Sequence, residues 1–281
     1  MSHVAVREDS WVDPGSGRRI AYQVWRPEVV RALTVIVHGF GEHGGRYRAF
    51  AERLAQQGLA VAVPDLWGHG RSDGRRGDLQ QLQECVNALR TLTETVWLPE
   101  TGLRRYALFG HSFGGLMAIS WALSASPHLS RLIAQSPLLE AGFPIPQWKI
   151  TAALWLAARW PTAPFSMNLD LRKLSRDPEV IRAYRHDPLV HNRMTAGTYR
   201  AVVALRDEVL ARASEVRVPV LLLCGTADRI ISVAAARLWY SRVRSEKRRI
   251  LFSGCFHELH HELAQDEVLR LVVKWATADV V

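Results

Sequence analysis

The chain has 281 residues, 48% of them hydrophobic, and 36 Lys and Arg against 27 Asp and Glu give it a formal charge of +9. That length and apolar content can bury the full core of one large α/β domain, or of a domain carrying an insertion. The longest apolar runs, such as TAALWLAA at 151–158, are far too short to cross a bilayer. The positive charge does not point to nucleic acid either. Arginine pairs at 18–19, 75–76, 104–105 and 248–249 are scattered, and the one dense stretch, SRVRSEKRR at 241–249, lacks interleaved aromatics for base stacking.

The opening MSHVAVREDSWVDPGSG holds no apolar core of signal-peptide length. Cys85, Cys224 and Cys255 are odd in number and widely spaced, which fits free thiols in a reducing compartment. A cytoplasmic location, or a peripheral one at a membrane surface, is the expectation. Further along, LTVIVHG (33–39), LAVAVPD (59–65), YALFG (106–110), RLIAQSP (131–137), VPVLLLCG (218–225) and RRILFSG (248–254) are short apolar runs. Such runs suit strands buried on both faces. Helix candidates at 46–57, 78–97, 113–126 and 232–243 alternate with them. The pattern predicts an α/β fold, a mostly parallel central sheet flanked by helices, with its chemistry at the carboxyl ends of the strands.

One interval breaks the alternation. Residues 138–206 contain no convincing strand, and prolines at 144, 146, 161, 164, 178 and 188 divide them into short helices and loops. We read 138–206 as an inserted helical cap, or lid, on a core formed by 1–137 and 207–281. Within it, Trp148, Leu154 and Trp155 are candidate substrate-binding residues, because one short helix cannot turn all of its apolar surface onto the body.

The strand ends carry the chemistry. YALF runs into GHSFGG, a G-x-S-x-G with Ser112 at its centre between a strand and a helix. There the chain must turn sharply, and the turn lifts the serine hydroxyl above the sheet beside a helix N-terminus. A serine needs a base, and the base needs an orienting acid. Asp228 follows the strand VLLLC and His257 follows RRILF, in the chain order Ser, Asp, His. Asp207 and Asp266 fall in helical stretches and are poorer candidates. CFHELHHE (255–262) also spells the zinc signature H-E-x-x-H. That signature requires a helix already running at His257, and the strand and turn preceding it argue otherwise. His260 and His261 are read as surface or packing residues, and neither a metal nor an organic cofactor is implied.

Together VHGFGEHGGRY (37–47), DLWGHGRSDG (65–74), GHSFGG, LSRDP (174–178), GTADRI (225–230) and FHELHHE resemble the monoacylglycerol lipase and lysophospholipase family of α/β-hydrolases, in the family's order. The resemblance implies Ser112 as nucleophile, His257 as general base and acid, and Asp228 as orienting acid. It implies an oxyanion hole formed by the backbone N–H groups of Phe40 and Phe113, whose two rings are expected to narrow the site. Glu42, His43 and Arg46 are expected to hold the Phe40 loop. The implied substrate is an acyl ester or lipid, hydrolysed through an acyl-enzyme, with transient contact to a membrane surface. Two other readings stay open: a short-chain esterase or a proline-iminopeptidase-like aminopeptidase, and a binding protein on a hydrolase fold.

Overall fold

The computed structural model describes residues 3–167 and 169–278. In chain order the elements are β1 (Val4–Val12), β2 (Arg19–Pro27), β3 (Ala32–Val37), α1 (Arg48–Gln56), β4 (Leu59–Pro64), α2 (Leu82–Leu92) and the one-turn α3 (Leu98–Thr101). Then follow β5 (Tyr106–His111), α4 (Phe113–Leu123), β6 (Leu129–Gln135), α5 (Gln147–Arg159), β7 (Pro164–Ser166), α6 (Pro178–His186) and β8 (Arg193–Thr195). The chain closes with α7 (Ala196–Ala211), β9 (Val220–Gly225), α8 (Val233–Arg242), β10 (Lys247–Phe252) and α9 (Gln265–Ala276).

Eight strands form one sheet in the order β1-β2-β4-β3-β5-β6-β9-β10. From β4 to β10 all neighbours are parallel, while β1 and β2 add an antiparallel ribbon at one edge. Strands β3, β4, β5 and β9 are buried along their whole length, as their unbroken apolar sequences require. One core, with Leu108, Leu116, Trp121 and Trp239, lies on the face covered by α2, α4, α7 and α8. The other, with Ile36, Phe50, Phe109, Leu223 and Val272, lies under α1 and α9.

The six apolar runs are all strands. The edge ribbon has no such signature, because β1 (VAVREDSWV) is exposed along most of its length and shows no alternation. Its position comes from pairing with β2. Between β6 and β9 the chain is mostly helical, but it also forms the antiparallel pair β7–β8. Strands of three residues are too short to show a period of two, and Pro164 sits at the first residue of its strand, where a missing N–H is tolerated.

Leu108 lies at the middle of β5, fully buried, two residues before the G-x-S-x-G turn. Leu108→Ala should cost about 2–5 kcal/mol of stability, read from urea unfolding, through lost apolar burial and a residual cavity.

Candidate active site

Strand β5 ends on His111 and α4 begins on Phe113, so the chain passes from strand to helix through Ser112 alone. Its backbone carries the strain, with φ 54° and ψ −115°, in a region that costs an L-residue about 1–3 kcal/mol. Gly110 and Gly114 permit the close packing this demands. A Cβ on Gly114 would lie 2.1 Å from the Val37 carbonyl oxygen, and one on Gly110 would lie 2.4 Å from the carbonyl oxygen of Gly114. The Ser112 N–H donates to the Gln135 carbonyl at 3.0 Å, and the Ser112 carbonyl accepts from Leu138 N–H at 2.9 Å. These bonds hold the hydroxyl at a helix N-terminus, on the wall of a cavity.

Asp228 and His257 follow the ends of β9 and β10 in adjacent loops. Asp228 Oδ2 lies 2.7 Å from His257 Nδ1. Its Oδ1 accepts from the N–H groups of Ile230 and Ile231 at 2.8 and 3.1 Å. Burial raises the Asp228 carboxyl and lowers the His257 imidazole, yet their mutual attraction outweighs both effects. Asp228 is held below its ordinary pKa and His257 above. With Nδ1 engaged, Nε2 is the nitrogen available to a reacting group. Ser112 and His257 line the same cavity but share no hydrogen bond here, a contact that commonly tightens only around substrate. His111, whose ring centroid is 4.7 Å from that of His257, is pushed down to about 3 by burial and by His257, and stays neutral.

The loop after β3 supplies the opposite wall. His38 Nδ1 donates to the Gly39 carbonyl at 2.7 Å, and its Nε2 accepts from Leu66 N–H at 3.0 Å. Glu42 Oε1 accepts from Gly39 N–H at 2.5 Å and from the Tyr47 hydroxyl at 2.8 Å. The N–H groups of Phe40 and Phe113 donate to no protein acceptor among the described residues. Their rings meet edge to face at 5.3 Å. Phe113 is buried in the core and only the Phe40 ring borders the cavity, so the expected narrowing by two rings reduces to one.

Glu42, His43 and Arg46 hold the Phe40 loop by charge contacts, as expected, and their distant partners tie it to the other loops. Arg46 pairs with Glu42 and forks onto Glu258, donating to Oε1 at 2.9 Å and Oε2 at 2.8 Å. Glu262 accepts from Arg176 N–H at 3.1 Å, Arg176 Nε at 2.9 Å and Phe256 N–H at 3.0 Å. His43 Nε2 lies 2.8 Å from Asp187 Oδ2. The sequence pointed to Glu42, His43 and Arg46 but not to their partners Glu258 and Asp187, nor to the Arg176–Glu262 pair, which are distant in the chain.

The H-E-x-x-H reading fails on geometry. His257 is in an irregular loop, and only a single 3-10 turn, Leu259–His261, follows before α9. His260 is not a surface residue: it is fully buried, stacked on Tyr47 at 4.6 Å, with Nδ1 bonded to Gln135 at 2.7 Å. His261 is partly buried, and both its ring nitrogens are engaged. Glu258, His260 and His261 do bring potential ligand atoms within 4.8 Å of one another, but Glu258 and His261 are committed to Arg46 and to each other.

The cavity over Ser112 and His257 has a volume of about 720 Å³. Leu139, Phe143, Ile150, Leu156, Met194 and Val202 are among its mostly apolar walls. Helix α5 turns Ile150, Ala153 and Leu156 inward. Trp148 and Trp155 lie on its other side, 68% and 60% exposed, and half-buried Leu154 does not line the cavity. A helical period of 3.6 separates positions 148 and 155 from 150 and 153. Asp207 and Asp266 are exposed partners of Arg206 and Arg53, remote from His257 in their contacts.

A mostly parallel sheet with helices on both faces, a strained serine turn after β5 and an acid–histidine pair after β9 and β10 define an α/β-hydrolase. The family model described as Hydrolase_4, serine aminopeptidase S33, matches residues 28–264. The chain belongs to this family and is a serine hydrolase. It is 37% identical over 262 residues to a monoacylglycerol lipase of Mycolicibacterium smegmatis, covering 92% of this chain and 93% of that one. A phospholipase of Bacillus subtilis is 25% identical, covering 88% and 95%. The crystal structure of Paleococcus ferrophilus monoacylglycerol lipase superposes with a TM-score of 0.82 at 28% identity, covering 98% and 99%.

Arg46, Glu42 and Glu258 side chains are 7%, 3% and 2% exposed. Arg46→Met should cost about 3–5 kcal/mol in urea unfolding, because it takes from the buried Glu42 and Glu258 carboxylates the one guanidinium they share. Adding Glu42→Gln and Glu258→Gln should recover much of that loss.

Proposed function

We propose that this protein is a serine carboxylic-ester hydrolase acting on monoacylglycerol-like or lysolipid-like esters through an acyl-enzyme. The observation that carries the substrate class is the apolar cavity of about 720 Å³ over Ser112 and His257, a size suited to one lipid-like ligand. Ser112 Oγ attacks the ester carbonyl while His257 Nε2 takes its proton. The Phe40 and Phe113 N–H groups, free of protein acceptors, receive the oxyanion. Collapse expels the alcohol, protonated by His257, and water then enters by the same route in reverse to release the acid. Asp228 holds the ring tautomer and stabilises the imidazolium.

An aminopeptidase would need an anion for the substrate amine. Of the acids lining the cavity, Glu42 and Glu258 are already bound to Arg46, and Glu140 is exposed. Lys149 and Arg206 also line it, which disfavours a cationic substrate. Outside the cavity, Trp148, Trp155 and Trp160 are 68%, 60% and 60% exposed, with Lys149 and Arg159 stacked on Trp148 and Trp155. Aromatic rings beside cations suit a lipid–water interface, so we read this outer face as a surface for transient contact with lipid. No helix among the described residues is long and apolar enough to cross a membrane.

Ser112→Ala should abolish ester turnover and labelling by a fluorophosphonate probe. Asp228→Asn should lower kcat by about 10⁴-fold through the wrong tautomer. Because Asp228 raises the His257 pKa, kcat/KM should climb with pH and reach half its plateau above the ordinary imidazole value, about 6.5. In Asp228→Asn the residual activity should show that limb at lower pH.

Across acyl esters, each added methylene should raise kcat/KM by up to roughly fourfold, the equivalent of about 0.8 kcal/mol, until the cavity is full. Ile150→Ala and Leu156→Ala should flatten that rise. Trp148→Ala with Trp155→Ala should instead lower turnover of vesicle-borne esters and spare soluble short-chain ones. Highest efficiency on acetyl esters, or on aminoacyl anilides, would overturn the lipid reading.

A further inference from the structure

His261 Nδ1 lies 2.8 Å from Glu258 Oε2, and its Nε2 lies 3.0 Å from the Arg46 carbonyl oxygen. Both neighbours are acceptors. A neutral imidazole has one N–H, so one of its nitrogens would turn a lone pair toward an oxygen lone pair. His38 shows the neutral alternative: one of its nitrogens faces a carbonyl and the other accepts from an N–H. The proton cannot sit on Glu258 instead. Burial raises that carboxyl, but the Arg46 guanidinium forked onto it holds it well below the usual carboxylate range.

We infer that His261 is a positioning residue carried as an imidazolium, which with Arg46 balances Glu42 and Glu258 and fastens the His257 loop to the Phe40 loop. The count closes, with two carboxylates, one guanidinium and one imidazolium. The other groups facing the His261 ring are His260, at 4.2 Å between centroids, and Tyr47, at 6.3 Å. His260 is held well below its ordinary pKa by burial, and Tyr47 well above its own by burial and the two glutamates. Both are therefore neutral, and His261 supplies the second positive charge. Its place in the chain explains what that charge positions. Glu258 follows His257 directly, and Glu42 accepts from Gly39 N–H, one residue before Phe40. Losing the second cation leaves a net buried negative charge between the two loops, which relaxes by moving them apart.

This inference rests on the roles proposed for His257 and Phe40, and two measurements separate its failure from theirs. Long-range proton–nitrogen spectra of the nitrogen-15-labelled full chain at neutral pH should show both His261 ring nitrogens protonated, a result independent of catalysis. A non-protonated nitrogen on His261 would overturn the proposal whatever the variants do. In ester turnover, His261→Gln should lower kcat by about 100-fold with KM little changed, the order produced by a displacement of about 1 Å. His261→Lys, which restores the cation, should recover much of that rate. Full kcat in His261→Gln, or equal losses in the Gln and Lys variants, would remove the role of the charge. Retained hydrolysis in Ser112→Ala would sink the underlying assignment instead.

Discussion

A strand that must become a helix within one residue governs the geometry of this protein. The turn at Ser112 is possible only because Gly114 lets α4 press against the carbonyls of Val37 and His38 at the end of β3. The same approach brings the first turn of α4 beside the loop that leaves β3. The N–H groups of Phe40 and Phe113, from elements far apart in sequence, have no protein acceptor among the described residues. The backbone strain at Ser112 is sustained by the burial of α4, whose every residue is in the core. The site is therefore a consequence of how tightly one helix packs on two strands.

Charge organises the second half of the site. Asp228 and His257 form one buried pair, and Arg46, Glu42, Glu258 and His261 form another group a residue away. In a low-dielectric interior each of these charges is costly alone and favourable only with its partners. Between them His111 and His260 are kept neutral by burial. The two charged groups are thus kept apart by neutral rings.

The segment between β6 and β9 is held unevenly. Its later part is fastened to the site loops by Glu262 with Arg176, by Leu174 with Glu258, by Asp187 with His43 and by His191 with Gly41. Helix α5 buries only Ala157. Its inward side forms the cavity wall, and its outward side carries exposed tryptophans and cations. Here the buried acids Glu42 and Glu258 are paired with Arg46 and the cavity wall is mostly apolar.

Much of this was legible in the amino-acid order. Five buried strands announced themselves as apolar runs, since a strand covered on both faces has no polar side to show, and the half-exposed edge strand β10 did so through ILF alone. The placement of Ser112, Asp228 and His257 after strand ends was legible because each follows such a run, and the glycines around Ser112 marked a sharp turn. The ribbon β1–β2 and the pair β7–β8 were not legible, because an exposed or three-residue strand owes its existence to its partner. Trp148, Leu154 and Trp155 stood out as apolar surface that one helix could not all turn onto the body, but helical phase puts Ile150, Ala153 and Leu156 on the cavity, and phase acts only once the helix has a body to face. The pairing of Arg46 with Glu258 spans 212 residues. His261 likewise acquires its two acceptors from opposite ends of the chain. Local sequence determines which residues can carry charge; only the folded chain decides which charges meet, because ion pairs depend on distance in space.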